Sequence, residues 1–188
     1  SRGLAEYVID QFTKADVHVL VNQSRSYTRD GSSVCFVGVG ELWTEDHRPI
    51  LAFDGIPENR PKIALVHNPD AGPHLADMGA TYVLAGHTHG RGVRDTKMHR
   101  LLFPTEYLDF IAGAYSLGKG RQLYINRGLG PSRRGCRNTR PEVTVFTMRN
   151  AERAMTHTTW IGAMITKDMN QPTPWKETPD MRVFPTRI

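Results

Sequence analysis

Residues 82–90 read Tyr-Val-Leu-Ala-Gly-His-Thr-His-Gly, and this stretch decides how the chain folds around its candidate site. The run at 81–85 is β-branched and aromatic, which predicts a buried strand. Gly86 then allows a sharp turn, and His87 and His89 follow with one residue between them. Side chains at i and i+2 of extended backbone share a side, so we expect both imidazoles to face one site. Because neutral imidazole is a common ligand of transition metals, the stretch predicts a metal site at the end of a strand.

A second apolar run upstream has the same arrangement. Residues 62–66 (Lys-Ile-Ala-Leu-Val) predict another buried strand, His67 follows directly, and Pro69 stops the strand from continuing. In open α/β sheets, ligands bind outside the carboxyl ends of the strands. We therefore expect His67 to meet His87 and His89. Each motif taken singly also fits a hydrogen-bonded loop histidine, but their combination favours a metal site.

These two segments resemble the last two metal-binding motifs of the calcineurin-like metallophosphoesterases, which are a histidine closing a strand and then Gly-His-x-His. Residues 123–130 (Leu-Tyr-Ile-Asn-Arg-Gly-Leu-Gly), Arg137 and residues 141–143 (Pro-Glu-Val) resemble the membrane-associated bacterial branch of that family. The resemblance covers roughly residues 4–148. The branch usually continues its second motif with a glycine and a glutamine, whereas Arg-Gly stands at 91–92 here, so one substrate-side contact differs.

The family's earlier motifs are absent from this sequence. Those motifs, Asp-x-His, Gly-Asp and Gly-Asn-His, supply the carboxylates and a catalytic histidine, and the one Asp-x-His triplet here, at 16–18, leads into an apolar run. The resemblance therefore implies the C-terminal part of a metallophosphoesterase, with its catalytic residues outside this chain. The chemistry agrees, because three neutral histidines do not offset the charge of two divalent cations. Asp54, Asp70 and Asp95 stand in turn-like contexts, which favours capping or turn roles for them.

By the same resemblance, the complete site holds two divalent metal ions. His67 and His87 would bind one ion and His89 the other. Mixed nitrogen and oxygen ligation admits Mn, Fe, Zn or Ni. A metal-activated water would attack phosphorus, so no nucleophilic serine or cysteine is expected.

Basic residues are concentrated between Asp109 and Glu142, a span without an acidic residue, in a chain of net charge +5. They are Lys119, Arg121, Arg127, Arg133, Arg134, Arg137 and Arg140. Arginine forks match phosphate oxygens, which favours a basic loop that holds a phosphorylated substrate. The alternatives are a solvated loop and a dock for anionic lipid or nucleic acid, and the scarcity of aromatic residues disfavours nucleic acid. Arg127, which directly follows a predicted strand, is the first candidate for substrate binding, together with Asn126 and Arg91.

The order of predicted elements gives the fold class. A helix is predicted at 4–15, where apolar residues repeat at helical spacing, with shorter helices near 50–54 and 73–79. Strands are predicted at 17–21, 33–38, 62–66, 81–85, 122–126 and 142–148, with one more across 155–165. This order predicts an α/β or α+β fold. The resemblance implies a sandwich of two mixed β-sheets flanked by helices.

Domain organisation and location follow from composition. We expect residues 1–150 to be part of one metallophosphoesterase domain, and 151–188 to be a strand with an extended, proline-rich tail. No apolar run is long enough to span a membrane. The two cysteines, Cys35 and Cys136, are too few for a disulfide framework. We expect a cytoplasmic protein, with peripheral membrane association as the alternative.

The leading hypothesis is a metal-dependent phosphoester hydrolase to which this chain supplies the C-terminal histidine ligands. Such a chain would be inactive alone, and either the N-terminal half or a partner chain would cover its exposed sheet. The main alternative is a non-catalytic structural or interaction module derived from a truncated phosphoesterase. An amidohydrolase also uses His-x-His, but the repeated strand–helix units of its barrel do not follow here.

Overall fold

The computed structural model describes residues 2–90, 110–129, 141–148, 161–168 and 176–182, the last two ranges as backbone. The helices are α1 (Arg2–Lys14), α2 (Pro49–Phe53) and α3 (Gly72–Asp77). The strands are β1 (Gln23–Arg29), β2 (Ser32–Gly38), β3 (Lys62–Leu65), β4 (Tyr82–Ala85), β5 (Gly113–Gly118), β6 (Arg121–Ile125), β7 (Glu142–Phe146), β8 (Ile161–Asp168) and β9 (Lys176–Arg182).

Six of these strands form one mixed sheet in the order β1-β2-β3-β4-β6-β5. β2, β3, β4 and β6 run parallel to one another, whereas β1 and β5 pair antiparallel at the two edges. The crossovers between the parallel strands contain α2 and α3. Because parallel strands end on the same side, the residues that follow β2, β3, β4 and β6 gather at one end of the sheet. The sequence-based prediction of a mixed α/β fold is therefore confirmed.

The main core lies on the face of this sheet that α3 covers. Val37, Ala64, Val83 and Leu123 come from four neighbouring strands and are fully buried together with Leu75 of α3. The small residues of α3 allow a close approach to the sheet. At Gly72 a Cβ would lie 3.2 Å from the Leu123 side chain. This packing fixes α3, and with it the connection that begins at the end of β3.

The opposite face of the six-stranded sheet contacts β7, the first strand of a three-stranded antiparallel sheet β7-β8-β9. Tyr124 is buried there among Tyr82, Leu84 and Phe146. The rings of Tyr124 and Phe146 meet edge to face, with centroids 5.4 Å apart. This contact packs β7 against β6. The chain enters the candidate site directly after β6.

The strand expected at 17–21 is a wrong prediction. Val17 instead closes the end of α1, with its N–H donating to the carbonyl of Phe12 at 2.9 Å. Residues 17–21 belong to no strand, and Asp16 (φ 58°) and Asn22 (φ 52°), with left-handed backbone, stand at the two ends of this connection. The first strand is β1, whose side chains are all exposed, so the hydrophobic pattern did not reveal it. A turn at Asp30 and Gly31, both with left-handed backbone, joins β1 to β2.

Two further strands were not predicted, and one was misplaced. β5 lies in a region for which no strand was predicted, and β9 lies in the part of the chain expected to be an extended, proline-rich tail. Pro179 is tolerated within β9 because that strand is at the edge of its sheet. The strand expected across 155–165 is β8, which extends to Asp168. Residues 155–160 lie outside the described part of the chain.

Helix α1 confirms the prediction at 4–15 but does not bury its apolar side chains. Leu4 is 65% exposed and Phe12 is 49% exposed, and Tyr7, Val8 and Ile9 are exposed as well. A helix of this kind normally buries its apolar stripe. None of the helices among the described residues is long and apolar enough to cross a bilayer.

Candidate functional site

The three histidines follow two neighbouring parallel strands. His67 comes two residues after β3, and His87 and His89 come after β4. The Gly86 N–H donates to the carbonyl of His67 at 3.1 Å, which joins the two connections. His67 Nε2 lies 3.1 Å from His87 Nδ1, and the ring centroids are 4.9 Å apart at 77°. The structure therefore brings His67 and His87 into direct contact.

The backbone at His87 and His89 differs from the expected extended form. His87 (φ 67°) and His89 (φ 54°) are both left-handed, and the Thr88 N–H donates to the Gly86 carbonyl at 2.7 Å. The Thr88 hydroxyl donates to the carbonyl of Ile111. The segment is thus a tight loop, and the argument that i and i+2 share a side of a strand was wrong for it. Left-handed backbone at non-glycine residues is unfavourable and concentrates at functional sites.

Two imidazole nitrogens at this loop are buried and have no hydrogen-bond partner in the described structure. They are His87 Nε2 and His89 Nδ1. Burial and the neighbouring His67 and His89 lower the pKa of His87 below 6.5, although Glu41 and Asp70 act in the opposite direction. A neutral imidazole with an unused buried nitrogen is the form that binds a metal ion. These two nitrogens are therefore chemically suited to bind a metal ion.

The described residues do not form a complete metal site. Within residues 2–90, 110–129 and 141–148, no three His, Cys, Asp or Glu side chains are grouped so that they could hold an ion. His67 and His87 form a close pair, while His89 lies against the connection after β6, where a Cβ on Gly128 would be 3.8 Å from its Nδ1. The arrangement is a partial set of donors at one end of the sheet.

Two carboxylates reach this region, one of which the sequence did not suggest. Glu41 lies three residues beyond β2, and its Oε1 is buried without a hydrogen-bond partner among the described residues. Glu41 therefore shares the strand-end setting of the histidines. Asp70 lies in a 3-10 turn, where its N–H donates to Asn68 Oδ1 at 3.0 Å, as its expected turn role requires. Both carboxylates act electrostatically on His87.

Of the other aspartates expected in turns, Asp54 follows α2 directly, at its C-cap. Asp95 lies outside the described residues.

Arg127 follows β6 and is held by a buried carboxylate. Its Nε donates to Glu142 Oε2 at 2.6 Å, and its side chain is 36% exposed. Asn126 uses its side chain within the protein, since Nδ2 donates to Thr144 Oγ1 at 3.0 Å and Oδ1 accepts from the Gly128 N–H at 2.7 Å. To donate to a phosphate oxygen, Asn126 would use its second amide hydrogen. Arg91, the third candidate, lies outside the described residues.

Comparison with known proteins gives relatives that match part of the chain. It is 35% identical over 133 residues to phosphodiesterase YaeI of Escherichia coli, a match that covers 70% of this chain and 47% of that protein. The chain is 36% identical over 89 residues to the uncharacterized metallophosphoesterase YkuE of Bacillus subtilis, a match that covers 47% of this chain and 31% of that protein. The chain is 31% identical over 119 residues to the UDP-2,3-diacylglucosamine pyrophosphatase LpxG of Chlamydia trachomatis, a match that covers 60% of this chain and 35% of that protein.

The chain thus spans less than half the length of each of these relatives. No family model matches it, and no solved structure matches it. The similarity nevertheless agrees with the motifs at His67 and at 86–90. Over its matched part, the chain is therefore homologous to the metallophosphoesterases of the calcineurin-like family.

Proposed function

We propose that this chain is part of a metal-dependent phosphoester hydrolase and supplies its histidine metal ligands. The observation that carries the proposal is the contact of His67 Nε2 with His87 Nδ1 at 3.1 Å, beside the buried and unpartnered His89 Nδ1. Two nitrogens that bind one ion at about 2.0–2.1 Å lie roughly 3 Å apart, so His67 Nε2 and His87 Nδ1, rather than His87 Nε2, are the nitrogens that would share an ion. His67 and His87 are proposed ligands of one divalent ion and His89 of a second.

Divalent ions bound here would activate a water for attack on phosphorus and would stabilise the developing negative charge. The chain's own residues contribute in other ways. Burial keeps His87 neutral, and therefore able to bind a metal at neutral pH. Arg127 is proposed to hold a phosphate oxygen, since it follows the strand next to the histidine loop. Asn126 and Arg91 are proposed secondary contacts to the substrate.

The substrate class is proposed from the relatives. One is named a phosphodiesterase and another a UDP-2,3-diacylglucosamine pyrophosphatase. Both names describe cleavage of a phosphorus–oxygen linkage between two groups, so we propose a phosphodiester or pyrophosphate bond as the target. A substrate with a lipid part would bring the chain to a membrane surface, which suits its net charge of +5.

We propose that the remaining ligands, including the bridging carboxylate and the catalytic histidine, come from a segment outside these 188 residues. Two observations support this. The relatives are more than twice as long as the part matched, and the described residues form no complete metal site. The same segment, or a partner chain in its place, would cover the exposed apolar face of α1. The same two observations favour the second candidate, a non-catalytic module that keeps a phosphoesterase fold.

Titration of the chain with Co²⁺, followed by visible absorption and calorimetry, tests the proposal. We expect Co²⁺ to bind and its spectrum to show nitrogen ligands. His87→Asn should weaken binding by about tenfold or more, because a ligand is lost. His74→Asn is the matched control, since His74 is an exposed histidine on α3 and should leave affinity unchanged. Equal affinity of the wild type and His87→Asn would contradict the metal assignment and favour the non-catalytic module.

A further inference from the structure

Glu142 is a buried carboxylate that accepts four hydrogen bonds, and the proposed chemistry gives it no role. Its side chain is 3% exposed and lies at the start of β7. Oε1 accepts from the Tyr124 hydroxyl and from Thr144 Oγ1, the latter at 2.8 Å. Oε2 accepts from Arg127, through Nε at 2.6 Å and through the backbone N–H at 3.3 Å. A buried carboxylate with this many donors is held in one position.

The two oxygens of Glu142 serve different partners. Oε1 accepts hydrogen bonds from hydroxyl groups of β6 and β7, while both hydrogen bonds to Oε2 come from Arg127. The Glu142 N–H also donates to the Gly128 carbonyl at 2.9 Å, which ties the backbone of β7 to the connection after β6. The bonds to Oε1 thus hold the carboxylate in place, and the bonds from Arg127 to Oε2 hold the arginine.

The two terminal guanidinium nitrogens of Arg127 do not bond to Glu142. Only its Nε and backbone N–H bond to Glu142, and among the residues that the structure describes its terminal nitrogens have no ion pair or hydrogen bond. The next residue, Gly128, lies beside His89. An arginine fixed through Nε presents its two terminal nitrogens in a set plane, which suits bidentate contact with a phosphate.

We infer that Glu142 is a positioning residue that holds the Arg127 guanidinium in place to bind the phosphate group of the substrate. The inference rests on the proposed function, because it deepens the role given there to Arg127. Fixing the side chain before binding removes the entropy that a free arginine would lose when it meets an anion. The bonds from Tyr124 and Thr144 to Oε1 keep Glu142 from turning away with the arginine.

Binding of inorganic phosphate, measured by calorimetry on the wild type and variants, tests this. We expect Glu142→Ala to weaken phosphate binding by roughly tenfold or more. Glu142→Gln should weaken it less, because the amide oxygen still accepts from Nε. The double variant Glu142→Ala/Arg127→Gln should bind no more weakly than Arg127→Gln alone, since both changes remove the same interaction. The NMR signal of the Arg127 Nε–H should move in both Glu142 variants.

Asp77→Asn is the matched control. Asp77 pairs with Arg121, at the other end of β6, at 3.4 Å, so this variant also removes the carboxylate partner of an arginine of that strand. It should leave phosphate affinity unchanged. The inference is overturned if wild type and Glu142→Gln bind phosphate equally while the Nε–H signal moves, if the double variant is additive, or if the wild type binds no phosphate. Metal binding by the histidines is measured separately, so failure here leaves the proposed function standing.

Discussion

Trp43 packs edge-on against His87, with ring centroids 5.0 Å apart and ring planes at 82°. Trp43 belongs to the connection between β2 and α2, which also carries Glu41 towards the histidines. The connection is therefore a wall of the candidate site, although it is far from the histidine motifs in sequence. Its shape depends on Asn22, which lies between α1 and β1 and bonds to it at three points.

Replacing Asn22 should loosen this wall. Its Oδ1 accepts from the N–H groups of Gly40 (3.0 Å) and Arg48 (3.1 Å), and its Nδ2 donates to the Asp46 carbonyl at 2.6 Å. We expect Asn22→Ala to lower the free energy of unfolding by roughly 2 kcal/mol, from lost hydrogen bonds and left-handed backbone strain. Urea unfolding measures this. Asn22→Gly loses the same bonds but relieves the backbone strain, so it should be less destabilised than Asn22→Ala; an Ala variant as stable as the wild type would contradict the prediction.

Gly128→Ala should be destabilised by backbone strain and should also disturb His89. Gly128 has φ +80°, and an added Cβ would lie 3.8 Å from His89 Nδ1, which is ordinary contact. We expect a loss of about 1–2 kcal/mol, because L residues disfavour this conformation. Gly120→Ala is the control, since Gly120 has φ +73° with open space around it. Both should lose similar stability in thermal unfolding, but only Gly128→Ala should shift the His89 ring signals in NMR spectra.

Glu142 should make stability depend on pH in the acid range. Burial alone would raise its pKa, but the hydrogen bonds from Tyr124, Arg127 and Thr144 outweigh burial and hold its pKa below 4.5. A carboxyl with a depressed pKa in the folded state stabilises the fold above its unfolded pKa. That stability is lost as pH falls through the lower folded value. We expect wild-type stability to fall more steeply below pH 4.5 than that of Glu142→Gln, as denaturant unfolding across pH would measure; parallel curves would contradict this.

The exposed face of α1 should promote self-association of the isolated chain. Leu4, Tyr7 and Phe12 are large apolar side chains that remain exposed on this helix. An apolar patch on water-facing surface favours aggregation. We expect Phe12→Glu to reduce association in analytical ultracentrifugation. Gln11→Glu adds the same charge at the neighbouring exposed position without removing apolar surface, and an equal reduction there would mean that charge alone is responsible.

The sheet strands next to the histidines could be predicted from sequence because their residues are buried. The runs that form β3 and β4 are apolar, and each is followed by the glycine, proline or histidine that ends it. Parallel pairing then brings the ends of both strands together, so the contact between His67 and His87 could be anticipated. Helix α1 was equally clear, because its apolar spacing is periodic whether or not the apolar face is covered.

The remaining features depend on contacts that local pattern does not record. β1 has only exposed side chains, and its place is set by the turn at Asp30 and by pairing with β2. Glu41 resembles any polar loop residue in sequence, and local pattern does not show that its Oε1 is buried in the folded chain. A weak signal did exist, since Glu41 follows a predicted strand as the histidines do.

The pairing of Arg127 with Glu142 has a consequence for the order in which the chain is made. The arginine leaves the ribosome before the carboxylate that holds it, because β7 follows β6. A nascent chain that ends between them has β6 complete but its arginine unanchored. Arg127 would then become able to bind an anion only late in synthesis, after β7 has packed against β6 through Tyr124 and Phe146. A chain interrupted early would expose its histidines without a fixed cation beside them.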